Sequence, residues 1–185
     1  MTRGSETAAP SPSAAPPAAP LGAPAPSIAA AASALPLRWD DPAGWRRVAP
    51  TSPMRRAEYA VPRVGSDEED ADCAVFMFGP GQGGGVNDNV ERWTRQFDPV
   101  TSPADQRTRE VAGMAVTRVE VAGTYHAMQM PGAAAPPLKA SPQRLVGAIV
   151  QAPSGLWFFK MVGPDATVKA HAAELDRLVD SIHAG

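Results

Sequence analysis

Three short stretches of this 185-residue chain hold residue types at spacings that could do chemistry: the glycines of FGPGQGGGVNDNVERW, the carboxylates of GSDEEDAD and the lysine of WFFKMVG. Gly79, Gly81 and Gly84 spell G-x-G-x-x-G behind the apolar run 73–78 and ahead of a helical pattern. That order would cradle a dinucleotide pyrophosphate if the third glycine opened the helix and a parallel strand ending in an acid followed. Asp88 and Glu91 have the spacing of a capping box, which starts the helix only after Gly85, Val86 and Asn87. The next segment, TRQFDPVTSPADQ, offers no strand to present Asp98. A Walker loop fails because Gly85 and Val86 stand where Lys and Ser or Thr belong. The glycines therefore read as a backbone corner, positive φ letting the chain pass close under a sheet. The alternative is an anion or small ligand held on N–H groups near the helix start, where the helix dipole favours negative charge.

The acidic run lacks the fixed spacing, turn glycine and distal Glu of a calcium loop, and reads as a solvated loop. His126, His171 and His183 have no spacing that pairs them for a metal, and His183 is expected at a helix C-terminus. Ser154 in APSGLW reads as turn chemistry. Cys73, the single cysteine, excludes an intramolecular disulfide, has no neighbouring base and reads as a packed thiol. No catalytic residue, cofactor or metal is assigned. Lys160 stands amid large apolar side chains. It either snorkels at a strand edge or is a partly desolvated amine facing a ligand. If its strand neighbours 73–78, then Gln82, Asn89, Arg92 and Lys160 converge on one patch able to bind a small anionic ligand.

These residues need elements to position them. Residues 1–35, dominated by Ala, Pro and Ser, cannot bury enough apolar area to offset their ordering entropy, and are expected to form a disordered tether. Residues 36–185 suit a single domain with a core of its own. A net charge of −2 supplies no field for nucleic acid or an anionic membrane. No stretch reads as a signal peptide or a transmembrane span. MRRAEYAVP alternates as a half-buried strand closed by Pro62, and 73–78 suits a central strand. Val90, Trp93 and Phe97 share a helix face, and 98–108 reads as a loop. A hairpin turns at Gly113 between strands near 107–112 and 115–125. After a Pro/Ala loop at 126–142, RLVGAIVQ and LWFFKMVG form a second hairpin, and a helix spans about 166–183. Trp39 and Trp45 clamp the entrance to the domain. Hairpins outnumber crossovers, which predicts an α+β fold: an antiparallel β-sheet flanked by helices.

MRRAEYAVP, the glycine turn with its helix, and GAIVQAPSGLWFFKMVGP before a closing helix resemble a family of uncharacterised bacterial envelope (lipo)proteins. In that family an N-x-x-R-W-x-x-Q helix precedes a W-F-F-K strand; here the helix motif is Asn89, Arg92, Trp93 and Gln96. The resemblance covers about 39–182 and implies no known activity. The order of strands, helix, strands and closing helix also resembles the PsbP-like fold of extrinsic photosystem proteins and the related nuclear import factor fold, which implies a helix/sheet/helix sandwich and a binding role. The expected function is thus a non-catalytic interaction module of the bacterial cell envelope, engaging a protein or cell-envelope partner. The alternatives are a small anionic-ligand binder using the glycine turn and Lys160, or an enzyme of unidentified type. The expected compartment is the periplasm or the membrane-anchored envelope, with any lipid anchor outside this chain; the alternative is the cytoplasm.

Overall fold

The computed structural model describes residues 36–127 and 142–185. The expected tether and most of the expected 126–142 loop lie outside the described residues. Among the described residues, nine strands and three helices follow one another: β1 (Leu37–Arg38), β2 (Arg46–Val48), β3 (Arg55–Val61), β4 (Ala71–Phe78), α1 (Val86–Thr94), β5 (Phe97–Val111), β6 (Met114–Tyr125), β7 (Gln143–Ala152), β8 (Gly155–Pro164), α2 (Asp165–Ala170), α3 (Ala172–Asp180) and β9 (His183–Ala184).

Period-two alternation makes the main sheet. Seven antiparallel strands run in the order β2-β3-β4-β8-β7-β6-β5, and β1 pairs with β9 in a separate two-stranded ladder. The sheet has helices on both faces, as the α+β reading expects. Val75, Val146, Phe159 and Met161 point to one face, where Val168, Leu175, Leu178 and Val179 of α2 and α3 cover them. Val119, Leu145, Ile149 and Phe158 point to the other, beneath Val90 and Trp93 of α1. Trp39 meets Trp157 and Phe159 edge-on at 5.9 and 5.3 Å, and Trp45 meets Tyr59 at 5.9 Å, so the two indoles extend the first core.

The faces are unequally covered. Nine residues of α1 make about 14 Å of helix at ~1.5 Å per residue, against a seven-stranded sheet about 29 Å across at ~4.8 Å per strand. Trp93 sits over Gly147 of β7 and against Phe158 of β8, so α1 serves the β6–β8 side, and among the described residues no helix covers the outer part of β4 and β3 on this face.

Four local expectations are corrected. Residues 98–108 are not a loop: they belong to β5, an edge strand that needs only one ladder and tolerates Pro99 and Pro103 through register shifts against β6. The helix begins at Val86 rather than after Asp88, because Gly85 is its N-cap and Asp88 its third residue. The C-terminal helix is two helices broken at His171, whose ring Nε2 bonds to the Pro62 carbonyl at 3.0 Å, and Ile182 lies beyond them. The acidic loop is not wholly solvated: Asp67 Oδ2 accepts from the Thr167 N–H and hydroxyl at 2.9 and 2.6 Å, capping α2 from a remote segment. His183 does bond near a helix end, to the Ser181 carbonyl at 3.0 Å. Burial pushes the fully enclosed Cys73 thiol far up, as expected of a packed thiol.

Candidate functional site

Alternation along β8 sends Trp157 and Phe159 into the α2–α3 core, and Phe158 and Lys160 onto the α1 face. β8 lies between β4 and β7, so Lys160 belongs to a central strand and not to a sheet edge. Its cross-strand neighbours are Ala74 and Gly147, both small, which leaves room for the long side chain to lie over the sheet. The Lys160 ammonium donates to Oε1 of buried Gln96 at 2.7 Å and stands 5.8 Å from the ring centres of both Trp93 and Tyr125. Burial drags its pKa from the ordinary 10.5 down to about 8; the nearby Arg92 and Arg55 add to the fall, and Asp72 opposes it.

The glycine run has a structural task. Gly81, Gly83 and Gly84 adopt φ of +74°, +84° and +80°, and a Cβ on Gly83 would lie 2.9 Å from Phe78. Buried Asn89 locks the turn, its Nδ2 donating to the carbonyls of Gly83 and Gly85 at 2.8 and 2.7 Å. Arg92 donates in turn to Asn89 Oδ1. Asp88 Oδ2 accepts from the Gly85 N–H at 3.2 Å, so the helix N-terminus already holds a carboxylate of this chain. Gly84 lies directly before the N-cap, so distance from the helix is not what excludes a dinucleotide cradle. The topology excludes it: the strand beside β4 is antiparallel β8, and α1 leads to β5 at the sheet's far edge.

Two open cavities share Lys160 and Phe76. One, of about 420 Å³, is walled by Phe76, Phe78, Trp93, Phe158, Arg92 and Lys160. The other, of about 290 Å³, includes Arg55, Asp72, Tyr125 and Lys160. Of the four residues expected to converge, Arg92 and Lys160 face the same cavity. Asn89 stands behind them as the support of the turn and of Arg92. Gln82 lines a separate concavity with Gly79, Pro80 and Gln151.

Sequence reasoning left Gln96, Trp93, Tyr125 and the three phenylalanines out of the site. Gln96 and Trp93 had a signal: Asn89, Arg92, Trp93 and Gln96 follow the i, i+3, i+4, i+7 spacing of one helix face. Tyr125 and Arg55 had none, since only strand order brings them to Lys160. Among the described residues, no carboxylate forms an ion pair with Arg92 or Lys160. The arrangement can hold an anion.

Among the described residues, no helix is long and apolar enough to cross a membrane. No protein-family model and no curated protein matches the chain. Among solved structures, the chain is similar to the Pseudomonas aeruginosa protein of unknown function PA94, at 9% identity and a TM-score of 0.44, covering 67% of this chain and 78% of that one. It is also similar to cyanobacterial PsbP (CyanoP) from Synechocystis sp. PCC 6803, at 12% identity and a TM-score of 0.46, covering 83% of this chain and 94% of that one. At those scores the function rests on the chain's own residues, which form an antiparallel sheet between helices with a cationic groove beside α1.

Proposed function

We propose that this chain is a non-catalytic binding module of the bacterial cell envelope, and that the groove beside α1 holds its ligand. One observation carries the reading: Lys160 stands in an apolar wall, shared by two cavities and held by the Gln96 amide instead of a carboxylate. A partly buried ammonium normally recruits an acid, because desolvation without a counter-charge is costly. Leaving that place open suits a partner that arrives from outside. The rest of the surface favours the groove over a flat docking face: among the described residues, Met54 and Val100 are the exposed large apolar side chains. Placement in the envelope rests on the Ala/Pro-rich composition of 1–35, which suits a stand-off spacer.

The test is a fragment library of neutral, cationic and anionic members, titrated onto the full chain and followed by backbone amide shifts. Shifts should gather on β4, β8 and α1. Shifts confined to the α2–α3 side, or none with any member, would sink the groove reading. Recovery of the native protein with cytosolic markers on cell fractionation would remove the envelope assignment.

A further inference from the structure

We propose that the groove takes a small amphiphilic anion, its carboxylate or phosphate head between Arg92 and Lys160 and a flat apolar body on Phe76, Phe78, Trp93 and Phe158. This rests on the groove being the binding site, and adds the ligand's chemistry. Head and body follow from different parts of the same wall.

The head follows from charge. Arg92 and Lys160 face one cavity of about 420 Å³ and form no ion pair among the described residues. Arg92 is held in place by Asn89, which is itself held by the glycine turn, and Lys160 is held by Gln96. Both cations are therefore positioned before a ligand arrives, which lowers the ordering cost of capturing an anion. Oxygens of a carboxylate or phosphate accept from guanidinium and ammonium together, in charge-assisted bonds stronger than those between neutral groups. The helix N-terminus does not compete for the head, because Asp88 already occupies it.

The body follows from the aromatic rings. Phe78 and Phe158 lie 5.2 Å apart at 51°, and Trp93 meets Phe158 edge-on at 5.8 Å, giving an angled apolar wall directly beside the cations. A fully hydrated inorganic anion would gain nothing from that wall, whereas a ring system would bury area against it. The volume lies within the range of small-molecule sites. An open cavity is consistent with a ligand bound head-in along the sheet rather than engulfed.

The experiment titrates the full chain with 2-naphthoate, 2-naphthyl phosphate, neutral 2-naphthamide and inorganic phosphate, reading affinity by calorimetry and location by amide shifts. Naphthoate or naphthyl phosphate should bind at least about 10-fold more tightly than naphthamide, since one charge-assisted bond is worth roughly that factor. Which of the two anions binds better names the head. Lys160→Met should lower the affinity for the better anion by about 10-fold or more, with Lys160→Arg restoring part of it. Arg92→Met, at an exposed helix position, repeats the test should the Lys160 variant fail to fold. Equal binding of naphthamide and naphthoate overturns the proposal, as does inorganic phosphate binding as tightly as its naphthyl ester, or an affinity untouched by both substitutions. If neutral or cationic fragments shift the groove while the naphthyl anions do not, the anion assignment fails and the groove survives. If nothing shifts the groove, both fail.

Discussion

The two faces of the sheet use the same residue types to opposite ends. On the α2–α3 face, arginines and acids form a closed ladder: Arg109 bonds Asp180 at 2.6 Å, Arg118 bonds Asp176 at 3.0 Å, and Arg144 bonds Asp165 at 2.8 Å as well as Glu120. Each cation there has its acid, and two helices seal the apolar core beside it. On the α1 face Arg55 still pairs with Glu58 and Asp72, but Arg92 and Lys160 have amides for partners, and the helix covering them is too short for its sheet. Paired charges at the half-exposed rim of a covered core hold the helices in register on the sheet. Cations held by neutral groups beside an open cavity stabilise little and leave their field available to a partner.

Neighbouring residues of β8 give the sharpest way to break this comparison. Phe159 is fully enclosed by the sealed core, whereas Phe158 borders the open cavity. Phe159→Ala should cost about 3–5 kcal/mol, read as a fall in the urea midpoint, and Phe158→Ala somewhat less, because Phe158, though only 3% exposed, has one side on the cavity rather than on packed side chains. Equal losses would mean that the α1 face is as closed as the other.

Gly147 tests how α1 is seated. A Cβ there would come within 2.5 Å of the Trp93 ring, so Gly147→Ala must lift the indole and the helix that carries it. The expected cost is about 1–3 kcal/mol. The amide shifts should change along α1 and β8 while the ladder residues keep theirs. Changes reaching α3 would show the faces to be coupled.

The smallest effect comes from the lysine's proton. Below about pH 8, Lys160 is protonated in the folded and the unfolded chain alike, and contributes no slope. Between about 8 and the ordinary 10.5, the unfolded chain holds more proton, so stability rises with pH through that window. The groups facing the amine are Arg92 from α1, Arg55 from β3, Asp72 from β4 and Tyr125 from β6, whose own pKa is pushed up by burial. Urea melts at pH 7 and pH 10 should show wild type gaining on Lys160→Met at the higher pH. A constant difference between the two would place the amine in water.

Much of the scaffold was legible because its signals are local. The alternation of Ala57, Tyr59 and Val61, the turn at Gly113 and the apolar face of Leu175, Leu178 and Val179 each report a strand, a hairpin or a helix within a few residues. Residues 98–108 misled because Pro99, Ser102 and Pro103 carry turn chemistry, and an edge strand absorbs it in bulges that only the partner strand reveals. Asp88 misled because a carboxylate three residues beyond an N-cap has the same spacing from its own acid as a cap would have.

By itself the amino-acid sequence determined which residues face in and which face out, and so an antiparallel sheet between amphipathic helices; burial periodicity is a property of consecutive residues. Only the tertiary structure decided that Arg92 and Lys160 share a cavity, that Gln96 stands where an acid would be expected, and that Gln82 turns away. Those facts depend on β8 lying between β4 and β7, and on where a nine-residue helix stops, which is the outcome of long-range pairing.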